Sequence, residues 1–189
     1  MARKNISRLL ILLILTILCA LAVQYALNLC FWWNCAPERG FIAADLELPD
    51  YLFPEGAVVD EPSRIRDNLV INDMWQGVTW GTGESTRYFA FIVRGYPTIR
   101  RAEETFIRDQ NQLSREPWRP SNELQFESSF SDESISACGN WAGYRCEYTA
   151  RYQEFVLTVH SMIDDEMTYD RFEDIVEYVD GQIASRLYP

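Results

Sequence analysis

The chain has 189 residues, with 17 Lys+Arg against 28 Asp+Glu, and a formal charge of −11. That balance disfavours nucleic acid and bare anionic lipid as partners. Lys4 is the only lysine and His160 the only histidine, which excludes a phosphate-loop lysine, a Schiff base and a Ser-Lys pair, and leaves one residue for any Ser-His or Cys-His chemistry.

Residues 1–8 read as a basic cytoplasmic tail, with Arg3, Lys4 and Arg8 and no acid before Glu38. The apolar run 9–33 then predicts a transmembrane signal-anchor helix, since about 20 residues cross a bilayer core and the body beyond it falls outside by the positive-inside rule. Phe31, Trp32 and Trp33 fall where an interfacial aromatic belt would sit. A cleaved leader is the competing reading, because Ala20-Leu21-Ala22 fits an A-x-A site and cleavage after Ala22 would release the protein. Past the anchor the basic residues number 17 − 3 = 14, all Arg, against the same 28 acids.

Five cysteines are present, and an exported body makes disulfides the expectation for those outside the membrane. Cys138 and Cys146 flank a stretch with Gly139 and Gly143 that permits a tight reversal, so their bridge would staple a hairpin neck. Cys30 and Cys35 form a possible second pair, although a helix continuing through both would turn them to different faces. Neither set has the neighbouring His or Cys that a zinc site needs, so no metal and no cofactor is expected.

Residues 34–68 are rich in Pro and acid and read as a stalk and loop segment, while Phe41, Ile42, Leu46, Leu48, Tyr51, Leu52, Phe53, Val58 and Val59 argue that some of it packs on the domain. Residues 69–189 predict one extracytoplasmic α+β domain. Leu69–Asn72, Met74–Trp80 and Arg87–Tyr96 read as strands broken at Asn72-Asp73 and Gly81-Thr82-Gly83, the third apolar on both faces and therefore central. Gly81 and Gly83 read as a hairpin turn, lacking the lysine and strand-to-helix context of a phosphate cradle.

Thr98 caps a helix to about Ser114 on an Ile99, Ala102, Phe106, Ile107, Leu113 stripe, with Glu104 and Arg108 at pairing distance. The arginines from Arg94 to Arg119 read as a solvated, internally paired face, or as a docking face for an acidic partner. A strand is expected near Leu124–Phe130, then the cysteine hairpin, then strands over 147–152 and 154–163 that carry His160. Thr168 caps a final helix on a Phe172, Ile175, Val176, Val179, Ile183, Leu187 stripe, and Asp170, Glu173, Asp174, Glu177 and Asp180 read as its solvated face.

The fold class that follows is α+β: a mostly antiparallel sheet covered by two helices and preceded by one N-terminal transmembrane helix. No Gly-x-Ser-x-Gly elbow accompanies His160, and the acids near 164–166 lack the pattern of a calcium loop. Trp141 and Tyr144, carried on the disulfide-bounded tip, are the candidate binding residues, and no catalytic residue is assigned.

Glu47 through Gly56, Ala137-Cys138-Gly139 through Cys146 to Tyr152, and Asp165 through Phe172 resemble uncharacterised single-pass bacterial envelope proteins. The resemblance spans most of the exported part and implies no known activity. The expectation is therefore a membrane-anchored binding or accessory module of the cell envelope, with a protein or glycan partner. The alternatives are an envelope hydrolase using His160 or a carboxylate pair, and a secreted ligand-binding protein.

Overall fold

The computed structural model describes residues 2–65, 69–83, 86–121, 123–140 and 142–188, with side chains from Leu10 onward. Helix α1 (Ala2–Asn28) comes first, and its Leu10–Asn28 portion is long and apolar enough to span a membrane. The helix ends at Leu29, whose φ of 57° lies in the left-handed region. Because the helix stops there, Cys30 and Cys35 sit outside it, and a disulfide joins them across a Cα separation of 5.2 Å.

Two short 3₁₀ turns, Ala43–Leu46 and Asp50–Leu52, lead to the first strand. In chain order follow β1 (Val58–Val59), β2 (Asn72–Trp80), β3 (Arg87–Gly95), α2 (Ile99–Leu113), β4 (Trp118–Arg119), β5 (Glu133–Asn140), β6 (Tyr144–Tyr152), β7 (Phe155–Met162) and α3 (Tyr169–Leu187). Among the described residues the seven strands form one sheet in the order β1-β2-β3-β7-β6-β5-β4, every pairing antiparallel. The layout is α+β, with an apolar helix at the amino terminus.

Both later helices start on threonine. Thr98 accepts from the Arg101 N–H and Thr168 from the Arg171 N–H, each satisfying an amide that the first turn leaves open. The α3 stripe Phe172, Ile175, Val176, Val179 and Ile183 packs into one cluster with Phe89, Phe91, Val93, Tyr152, Leu157 and Val159, and with Phe41, Leu46, Leu48 and Phe53 from the segment before the sheet. On the opposite strand faces, Ala102 and Phe106 of α2 gather with Tyr96 and Val156, and Leu113 with Trp118 and Ala137. Two disulfides in so small a body point to an oxidising compartment.

Several local expectations are corrected. The separate strand expected over Leu69–Asn72 does not form and Asn72-Asp73 is no break: β2 begins at Asn72, and the buried Asp73 carboxylate within it accepts from the Ile65 N–H at 2.9 Å and from Arg64 Nε at 3.2 Å. No strand forms at 124–130; the Gln125 and Phe126 amides donate to the Glu173 carboxylate instead of to a ladder. Glu104 pairs with Arg100 at 2.9 Å while Arg108 leans to Asp109, so the expected Glu104–Arg108 pair does not form.

Asp180 also leaves the solvated face assigned to it. It is 5 % exposed and accepts from Tyr152 Oη and Ser128 Oγ, which satisfy its oxygens in the interior.

Candidate functional site

Strand pleating sorts β3, β6 and β7 into an apolar face under α3 and a mixed face toward α2. The mixed face carries Tyr88, Ala90, Ile92 and Arg94 from β3, Thr158 and His160 from β7, and Arg145, Glu147 and Thr149 from β6. Register brings them together: Ala90 lies opposite His160, Ile92 opposite Thr158, and Glu147 opposite His160 from the other side. Between these side chains, Trp118, and Asp109 and Gln112 of α2 runs a cleft of about 420 Å³, in the range of small-ligand sites.

The polar groups of the cleft form two linked sets. His160 Nδ1 lies 3.1 Å from Glu147 Oε2, and Arg145 Nη1 lies 3.3 Å from His160 Nε2. An imidazole protonated at Nδ1 satisfies both contacts, donating to the carboxylate and accepting from the guanidinium. Arg145 Nη2 also donates to the Ala142 carbonyl at 3.2 Å, so this network runs from the cleft to the turn between β5 and β6.

In the second set, Arg94 Nη2 donates to Asp109 Oδ2 at 2.6 Å and to Thr158 Oγ1 at 3.2 Å, and Thr158 lies 3.3 Å from Thr149. The Arg94 Nε–H is buried and has no partner among the described residues. A ligand acceptor entering the cleft has that donor to bind.

Apolar walls complete the cleft. The Trp118 ring meets the His160 ring edge to face at 5.9 Å, and Tyr88 lies 6.4 Å from it on the other side. Trp118 is held there by β4, which approaches β5 so closely that a Cβ at Gly139 would stand 2.5 Å from the Pro117 carbonyl oxygen.

The cysteine hairpin lies at one end of the sheet. Cys138 and Cys146 face each other in register and are bonded across a Cα separation of 4.1 Å, with Ala142 and Gly143 in the turn at φ 51° and 107°. Of the two candidate tip residues, Trp141 lies outside the described residues. Tyr144 is partly exposed, and its hydroxyl accepts from Tyr169 Oη at 3.1 Å while the two rings pack edge to face. Burial, then the neighbouring Glu123 carboxylate and the Tyr144 hydroxyl, raise the Tyr169 phenol above its ordinary value.

A second, more polar cleft of about 500 Å³ adjoins this tip, between Arg87, Tyr88, Tyr144, Arg145 and Asp164. Burial pushes the Asp164 carboxyl up, but donors from the Met167 and Glu166 amides, Trp80 Nε1 and Arg87 outweigh it and hold the group below the usual carboxylate range.

Among the described residues no three His, Cys, Asp or Glu side chains gather as a metal site. Of the arginines between Arg94 and Arg119, three are paired within the chain: Arg94 of β3 with Asp109, Arg100 of α2 with Glu104 and Arg119 of β4 with Glu116.

In the sequence, Glu147, Arg145 and Trp118 carry no site role, and Arg94 counts only among the arginines of a solvated or docking face. The signal was present in β6, where Arg145, Glu147, Thr149 and Arg151 alternate with Cys146, Tyr148, Ala150 and Tyr152. A strand polar on one face in the interior of a sheet implies that those polar groups meet one another. No protein-family model matches the chain, and searches of curated proteins and of solved structures find no match either.

Proposed function

We propose that the chain is a single-pass membrane protein with a cytoplasmic tail over 1–8, an anchor over 9–33, a connecting segment over 34–68 and an extracytoplasmic domain over 69–189. The domain, a sheet with one helix on each face, acts as a binding or accessory module of the cell envelope. The apolar span, the basic residues before it and the two disulfides support this placement.

The observation that carries binding over turnover is the occupancy of His160. Glu147 and Arg145 take both ring nitrogens, and no hydroxyl or thiol among the described residues hydrogen-bonds to either. A general base whose accepting nitrogen faces a guanidinium has no lone pair to offer a nucleophile. The cleft instead suits a small ligand or peptide side chain with an apolar body against Ile92, Tyr88 and Trp118 and an acceptor group at Arg94 Nε. Tyr144 extends the same surface toward an envelope protein or glycan, through the Arg145 link to Ala142.

A photoreactive residue at Gln112 of the full-length chain, irradiated in intact cells, tests the cleft. A reproducible adduct that Ile92→Asp abolishes supports it, and adducts indifferent to Ile92→Asp refute it. Adducts unchanged by Trp141→Ala with Tyr144→Ala remove the tip. The Glu147–His160 contact does resemble the orienting half of a catalytic triad. A hydrolase screen with His160→Ala as control therefore decides the enzyme alternative, and the intact mass of the mature protein decides cleavage after Ala22.

A further inference from the structure

We infer that the end of the domain from which the anchor emerges lies in the bilayer interface as an apolar rim, so the domain sits on the lipid instead of standing off on a stalk. The inference rests on the proposed membrane-spanning role of α1. Strand direction defines the end: β2 starts there, β3 and β6 finish there, β7 and α2 start there, and α3 returns to it.

The anchor is fastened at this end. The Ala36 N–H donates to the Pro97 carbonyl at 2.7 Å, and Arg101 Nη2 donates to Tyr25 Oη, inside α1, at 3.0 Å. Arg39 grips the buried Glu154 at the β6–β7 turn with Nε at 2.5 Å and Nη2 at 2.8 Å. Only the disulfide-closed loop of Cys30–Cys35 separates the end of α1 from these contacts. No free length is left to raise the domain.

Exposed apolar side chains collect at the same end. Ile71 is held by its amide to the Gly95 carbonyl, Ile99 opens α2, and Ile42 precedes Ala43, whose amide donates to Asn72. Phe130 lies two residues before Asp132, which accepts from the Gln153 amide at the β6–β7 turn. With Trp32 and Trp33, these side chains are between 47 % and 71 % exposed.

Away from this end, exposed large apolar side chains such as Tyr51 against Tyr178, Ile107, Val58 paired with Thr79, and Tyr144 stand on separate elements. Water-exposed Ile and Trp clustered around the base of an apolar span match the depth at which a bilayer interface accepts them.

The test uses the full-length chain with Cys19→Ser, reconstituted in phosphatidylcholine vesicles, with nitroxide labels placed singly at Ile71→Cys, Ile99→Cys, Leu27→Cys and Val58→Cys. Labelling is non-reducing, so both disulfides persist. The ratio of oxygen to nickel-chelate collisions reads depth. At Ile71 and Ile99 the ratio is expected to exceed that at Val58 severalfold and to approach that at Leu27. Aqueous ratios at Ile71 and Ile99 with a lipid ratio at Leu27 overturn the rim and leave the anchor standing. An aqueous ratio at Leu27 overturns both, and loss of collisions with both reagents at Ile71 and Ile99 names a protein cover and overturns the lipid one.

Discussion

Replacing Arg39 by methionine removes the partner of a carboxylate that is only 2 % exposed. Both oxygens of Glu154 accept from the Arg39 guanidinium, which also donates to Gln153 Oε1, and its methylenes are themselves mostly covered. Methionine keeps most of that apolar stem and leaves the charge of Glu154 without its cation. Breaking a buried pair from one side costs about 3 kcal/mol. With a urea slope of about 2 kcal/mol per M, the midpoint of the full-length protein in detergent should fall by roughly 1.5 M, read by far-ultraviolet circular dichroism. Adding Glu154→Leu removes the stranded charge, and the double variant should return to within about 1 kcal/mol of the parent. A single variant that loses less than about 0.5 kcal/mol would refute the assignment, since that is the range of an exposed pair. A double variant as unstable as the single would show that packing of the arginine stem, not charge burial, ties this segment down.

Tyr152→Phe deletes one of the two hydroxyls donating to buried Asp180 and should cost about 1.5–3 kcal/mol, measured by denaturant titration; no loss would mean that Ser128 alone satisfies the carboxylate. Burial, then the neighbouring Tyr148 and Asp180, raise the Tyr152 phenol, so the stability it confers is complete below the unfolded value of about 10 and is lost as pH climbs above it. Alkaline unfolding should therefore be shallower in Tyr152→Phe.

Asp164 has the opposite sign. Its depressed value means stability present above about pH 4 and lost as pH falls further, so the melting-temperature gap between the parent and Asp164→Asn should close on acidification; a gap independent of pH would count against the four donors. Reducing the Cys138–Cys146 bridge should remove about 2.5 kcal/mol by loop closure, seen as a lower denaturant midpoint in Cys138→Ala with Cys146→Ala.

What could be read in the sequence was local and periodic. The apolar run, the threonine caps of α2 and α3, the two-faced apolar pattern of β3 and the glycine-bearing turn between Cys138 and Cys146 each depend on residues close in sequence. What escaped depends on partners far away in it. Asp73 looked like a strand break because the amide it accepts from belongs to Ile65, outside any regular element. Glu173 and Asp180 looked like a solvated helix face, yet they hold the 125–131 segment and Tyr152.

The Ser-rich stretch before Cys138 hid β5, whose Glu133–Ala137 portion lies at the sheet edge with no β4 pairing, so apolar alternation there is weak. The cleft at His160 needed the register of three strands, which fixes which polar residue faces which and cannot be counted from one strand alone.

The pairing of β3 with β7 at the centre of the sheet has a consequence for how the chain reaches its native state. All of α2, β4, β5 and β6 is synthesised between those two neighbours. Until the last strand arrives, β3 presents a bare, apolar edge, and the earlier hairpin has nothing to lean against. Assembly must therefore wait for nearly the whole polypeptide, and a nascent chain halted before residue 155 would be a target for aggregation or proteolysis.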